Sequence, residues 1–116
     1  MIVAVAYDDG MICPRFGKSP QFKLYTDEYG VITKTELVDN PGGGHAAIAK
    51  LLADKGVEVV ICGGIGDPAR DALHGYGMEL YTGNAGDPDL AVKQCLSCQP
   101  DNESNGIDSI LRPKKQ

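Results

Sequence analysis

Residues 57–73 read VEVVICGGIGDPARDAL. A short apolar run stops at Cys62, glycines follow at 63, 64 and 66, and Asp67-Pro68 has the form of a helix start, with Asp67 as N-cap and Pro68 at the first helical position. A strand that feeds a helix and then another strand returns to a parallel neighbour through a right-handed crossover. This stretch therefore predicts an α/β fold. It also raises a question of its own, because glycine lets a backbone come close to something else.

Upstream, IVAVAY at 2–7 is a nearly continuous apolar run, the pattern of a strand buried on both faces. A loop with Pro14, Gly17 and Pro20 follows, and then 22–26 and 31–38 read as an antiparallel hairpin across Asp27-Glu28-Tyr29-Gly30. After Asn40-Pro41 and three glycines the apolar period becomes helical: Ala47, Ile48, Leu51 and Leu52 share a face, and Gly56 ends the helix. Downstream of residue 73, Gly75 and Gly77 close the second helix, 78–81 is a short strand, and Asp87-Pro88 opens a third helix through 90–96. The expectation is one domain over 1–98 with a mixed five-stranded sheet, spatial order 3-2-1-4-5, and helices on its faces. Residues 99–116 read as a polar tail, with 107–111 docking weakly.

Composition narrows the function classes. The chain has 116 residues, 42% of them hydrophobic and 23% charged, a balance ordinary for a soluble globular domain. Its net charge of −5 opposes bulk nucleic-acid binding. No run approaches the roughly 18 apolar residues of a membrane span, and the amino terminus lacks a basic signal-peptide start. A cytoplasmic protein with reduced or metal-bound cysteines is expected. Residues 11–26 carry Arg15, Lys18 and Lys23 and no acid.

In an open α/β sheet, ligands sit at the carboxyl ends of strands where the connections diverge. Three glycine-bearing segments are candidates to meet there: the loop after the first strand, PGGGHA at 41–46 with Gly43, Gly44 and His45, and CGGIGDPA at 62–69 with Cys62, Gly63, Gly64 and Gly66. A helix N-terminus suits an anion, yet the same glycines could serve only to bend the chain. His45 at a helix start should stay neutral, fit to ligate a metal or donate a hydrogen bond, or simply to be a solvated capping residue. Cys62 reads as core packing or as a site thiol. Cys13 lies beside Arg15, whose guanidinium would favour a thiolate. Cys95-Leu-Ser-Cys98 has CxxC spacing without the second pair of a zinc or cluster site.

Taken in order, IVAVAYDDG, RFGKSPQF, the hairpin and NPGGGHAAIAKLLADKGVEVVICGGIGDPARDAL resemble the dinitrogenase iron–molybdenum cofactor biosynthesis family, that of NifX, NafY and the carboxy-terminal domain of NifB, over about residues 1–95. The resemblance implies a three-layer ribonuclease H-like fold. It also implies a non-enzymatic role in cofactor assembly: binding or carrying an anionic metal–sulfur cluster, either an iron–molybdenum cofactor precursor or a relative such as a molybdenum–copper cluster. Cofactor-assembly or target proteins would then be partners. Arg15-Phe16-Gly17, Gly43, Gly44, His45 and the glycine turn after Cys62 would form the cradle, with His45 and Cys13 as the nearest metal ligands. Where the family often has a histidine before Phe-Gly, this chain has Arg15, which stays protonated and can pair with an anion but not ligate. Two other readings remain. One is a small-anion-binding or protein-interaction adaptor. The other is a nuclease using Asp8 and Asp9, which glycines at the matching positions after the fourth strand oppose.

Overall fold

The computed structural model describes residues 1–98. The expected tail at 99–116 and its docking segment at 107–111 lie outside the described residues. Strands β1 (Ile2–Asp8), β2 (Met11–Ile12), β3 (Gln21–Glu28), β4 (Val31–Asp39), β5 (Val57–Ile61) and β6 (Glu79–Tyr81) are joined with helices α1 (His45–Asp54), α2 (Asp67–Gly75) and α3 (Pro88–Cys98). The sheet is mixed and has six strands rather than the five expected. Its path runs β4-β3-β1-β5-β6, and β2 pairs with β1 off that path.

The sixth strand has a local cause. Asp9 and Gly10 reverse the chain directly after β1, so Met11 and Ile12 fold back opposite Asp8 and Tyr7. On that same side β5 pairs with β1 only as far as Val5↔Ile61. Strand β2 thus takes up the edge of β1 that β5 leaves bare, and the Cys13 amide continues the pairing by donating to the Ala6 carbonyl at 2.8 Å. The following stretch, expected as plain loop, makes one 3₁₀ turn over Phe16–Lys18. The hairpin is tighter than expected: Glu28 pairs with Val31, so only Tyr29 and Gly30 turn the chain, both with the positive φ (57° and 84°) of a two-residue hairpin loop.

Side-chain alternation along β1 builds two cores. Ala4 and Ala6 join Phe22 and Leu24 under Ile48, Ala49 and Leu52 of α1 and Ala69 and Leu73 of α2. Val3 and Val5 join Tyr25, Val59 and Ile61 under Val92 of α3. Helices therefore cover both faces. Helix α2 starts one residue earlier than read from sequence: Gly66 is its N-cap and Asp67 is already helical, without a side-chain capping bond. At α3 the Asp87 carboxylate does cap, accepting from the Asp89 N–H at 2.9 Å.

Helix α3 is pinned to the sheet by a polar cluster. The buried Tyr25 hydroxyl donates to the Asp89 carboxylate, which also holds the Lys23 ammonium at 3.2 Å. The ammonium lies 5.1 Å from the centre of the Tyr25 ring. Hydrogen bonds from Tyr25 and then Lys23 hold the Asp89 carboxyl below its ordinary range. Burial, followed by the Asp89 bond and its charge, pushes the Tyr25 phenol far upward. The two shifts act at opposite ends of the pH scale. Asp89 contributes stability that is complete above the unfolded carboxyl value of about 3.9 and is lost as pH falls below it. Tyr25 contributes stability that is complete below the unfolded phenol value of about 10 and is lost as pH rises beyond it. Thermal melts between pH 2 and 11 should show both declines. Asp89→Asn should flatten the acid limb and Tyr25→Phe the alkaline one, and unchanged profiles would refute this account of how α3 is attached.

Candidate functional site

Strand β4 runs antiparallel to β3, and β3 antiparallel to β1, so β4, β1 and β5 all end at the same edge of the sheet. That edge carries the start of α1 after β4, the start of α2 after β5, and the loop after β1. The three glycine-bearing segments therefore gather at one end of the molecule. Hydrogen bonds stitch them: the Gly64 amide donates to the Pro14 carbonyl at 2.8 Å, and the Phe16 amide to the Gly64 carbonyl at 2.9 Å. The Asn40 amide and side chain donate to the carbonyls of Pro20 (3.0 Å) and Ser19 (2.8 Å), and its side-chain oxygen accepts from the Gly42 amide at 2.9 Å.

The glycine turn after Cys62 approaches the protein itself. A Cβ at Gly63 would lie 2.9 Å from the Pro14 Cα and 3.0 Å from its carbonyl oxygen. The Gly64 amide is already committed to Pro14, and the Gly63 carbonyl accepts from Gly83 at 2.6 Å. These glycines let the β1 loop lie flat across the end of β5. The α2 dipole beyond them is met by Asp67, an acid in its first turn.

Helix α1 is built differently. Gly42, Gly43 and Gly44 all take left-handed φ angles (77°, 81° and 85°), which residues with a Cβ rarely adopt. Gly44 is the N-cap, no side chain caps the helix, and its first turn holds no acid. The first N–H groups of an α-helix have no partner within it, so this terminus offers uncapped donors with His45 as its first residue, exposed. Beside it the 3₁₀ turn presents exposed Arg15, Gly17 and Lys18. The ion pairs Lys23–Asp89, Lys50–Asp54 and Lys55–Glu36 leave Arg15 and Lys18 without a carboxylate among the described residues.

The expected site residues thus separate into a rim and a floor. Arg15, Gly17, Gly43, Gly44, His45, Gly64 and Gly66 are exposed at the edge, whereas Cys13, Phe16 and Cys62 are buried beneath it in one core cluster, and Gly63 is half-buried. The Cys13 thiol donates to the Arg15 carbonyl at 3.3 Å, and the Ser19 hydroxyl donates to the same oxygen at 3.1 Å, which fixes the bend that carries Arg15. Burial pushes the Cys62 thiol up to about 11, partly opposed by the charge of Arg70. Cys62 is therefore a protonated packing group at neutral pH. Among the described residues no three His, Cys, Asp or Glu side chains converge as a metal-ion site. Sequence reasoning gave the acid-free loop 11–26 to the cradle without singling out Lys18 within it, and it missed Asn40 as the tie between two of the segments. The Asn40 bonds to Ser19 and Pro20 are long-range and leave no pattern in sequence, whereas its bond with Gly42 is local.

Comparison with known proteins places the chain in a family and matches its fold. The profile of the family described as "Dinitrogenase iron-molybdenum cofactor" matches residues 1–97. An uncharacterized protein of Methanocaldococcus jannaschii is 28% identical over 101 residues, spanning 83% of this chain and 86% of that one. The crystal structure of PH0822 superposes with a TM-score of 0.78 at 25% identity, covering 84% of this chain and 89% of its own. The apo form of the orange protein from Desulfovibrio gigas superposes with a TM-score of 0.73 at 26% identity, covering 84% and 88%.

Proposed function

Because the chain belongs to the dinitrogenase iron–molybdenum cofactor family, we propose that it binds and carries an anionic metal–sulfur cluster, without catalysing a reaction, at the edge where β1, β4 and β5 end. The observation that carries this reading is that, among the described residues, an acid-free helix start without a side-chain cap shares one sheet edge with two cations that have no carboxylate partner. A preformed cluster brings its own sulfide ligands, so it needs charge, hydrogen-bond donors and at most one protein ligand rather than a full ligand set. Arg15 and Lys18 would neutralise the cluster's charge. The amides of 44–46 would donate to its sulfides, and His45 would supply the single imidazole. Cys13, Phe16, Cys62 and Gly63 would form the floor, and Gly64 and Gly66 would border the rim. Proteins that deliver or receive the cluster are the partners this role requires. Family likeness also supports reading the α/β/α layering as ribonuclease H-like.

The test is anaerobic incubation with tetrathiomolybdate or iron–sulfur species, followed by gel filtration. Visible absorbance should travel with the protein, and Arg15→Ala combined with His45→Ala should weaken retention by about tenfold or more, the loss of one charge-assisted bond and one ligand. Failure of the wild type to retain any species would overturn the proposal. Thermal stabilisation by phosphate or sulfate alone would instead favour a small-anion-binding adaptor.

A further inference from the structure

The sheet ends on β4, a strand of nine residues, and no element among the described residues pairs along its outer side. Which backbone groups face outward follows from one bond. The Asp27 amide donates to Met1, on the β1 side of β3. Bonding alternates along an antiparallel strand, so Thr26, Leu24 and Phe22 turn toward β4 and engage Lys34, Glu36 and Val38. Thr35 and Leu37 therefore turn their N–H and C=O groups out of the sheet.

We propose that this edge pairs with the same edge of a second copy of the chain, antiparallel, about a two-fold axis at Thr35. The sequence around that residue is self-complementary in charge. The axis sets Lys34 opposite Glu36 of the other copy, twice, with Leu37, 50% exposed, at the end of the regular ladder beside Thr33, the residue that the β3–β4 register skips. An axis at Glu36 would oppose two carboxylates, and one at Leu37 would leave Lys34 without an acid. Lysine on an edge strand normally deters pairing. Here it selects the one register that supplies its counter-charge. Glu36 binds Lys55 of its own chain through Oε2 at 3.1 Å, which leaves Oε1 for the lysine across the axis. The carboxyl ends of β1 in the two copies would point in opposite directions, so both rims would stay open and the pairing does not depend on what they bind.

Sedimentation equilibrium of the full chain should find a reversible, concentration-dependent dimer. Lys34→Glu and Glu36→Lys should each weaken it by about tenfold, since each turns two attractive cross-strand pairs into repulsive ones. An equimolar mixture of the two variants should restore it, because every carboxylate at position 34 or 36 of one variant then meets an ammonium of the other. Hydrogen-bonded partners in an antiparallel pair lie about 5.5 Å apart at Cα, within disulfide reach. Thr35→Cys should therefore cross-link between chains on oxidation, whereas Leu37→Cys should not. A wild type that stays monomeric near 1 mM overturns the proposal, whether the edge is bare or covered by residues 99–116; the same holds for a dimer indifferent to Lys34→Glu or for a mixture that stays monomeric.

Discussion

Phe16→Ala should cost about 3–5 kcal/mol in urea unfolding, the usual range for emptying a buried phenylalanine site. Phe16 is 1% exposed, although it sits in a loop, and its ring lies 5.4 Å from that of Phe22. It belongs to the core cluster that the sheet forms with α1 and α2, and such packed elements relax only partly into a gap. A domain of this size has only about 5–15 kcal/mol to lose, so the variant should be close to marginal. The loss should reach the rim as well. Phe16 is the apolar anchor of the turn that presents Arg15, Gly17 and Lys18, and retention of a metal–sulfur species should fall together with stability. Phe16→Leu, which keeps most of the volume, should cost less than half as much. An alanine variant with wild-type stability would show that the loop is held by its backbone bonds alone.

Gly63→Ala should be strongly destabilising, because among the described glycines its Cβ would meet the tightest contact. The added carbon would meet the Pro14 backbone at 2.9–3.0 Å, and neither partner is a flexible side chain that can swing away. Overpacking of this kind costs about 1–3 kcal/mol. Should the loop lift off, the Gly64–Pro14 and Phe16–Gly64 hydrogen bonds would go too, at about 1 kcal/mol each. Gly17→Ala is the control: a Cβ there meets nothing within 4 Å and its φ is not in the left-handed region, so its unfolding midpoint should hardly move. Equal effects at the two positions would refute the close-approach explanation of the glycine turn.

The contrast between those two glycines shows where the sequence was readable. Apolar runs at 2–7 and 57–61 announce buried strands, and the helical spacing of Ala47, Ile48, Leu51 and Leu52 announces α1, although the face the helix buries is turned slightly, to Ile48, Ala49 and Leu52. Strand β2 escapes such reading: two residues cannot display an alternation, and their pairing depends on where β5 happens to stop. From sequence the turn after Cys62 reads either as an anion-binding helix start or as a plain bend; what Gly63 approaches is Pro14, a contact between distant parts of the chain that no local pattern encodes. One distinction was available from the sequence. Asp67 and Asp89 occupy the first turns of α2 and α3, whereas the first turn of α1 has no acid, so no carboxylate of that turn offsets its positive pole.

The three consecutive left-handed residues before α1 bear on selectivity. Gly42, Gly43 and Gly44 bring no side-chain bulk to the mouth of the proposed site, and their backbone can shift between conformations closed to other residues. At the proposed site, a threshold of this kind would sort visitors by polarity and tolerate differences in girth. Inorganic guests of several sizes could then share one doorway, and the choice among them would fall to whichever protein hands them over.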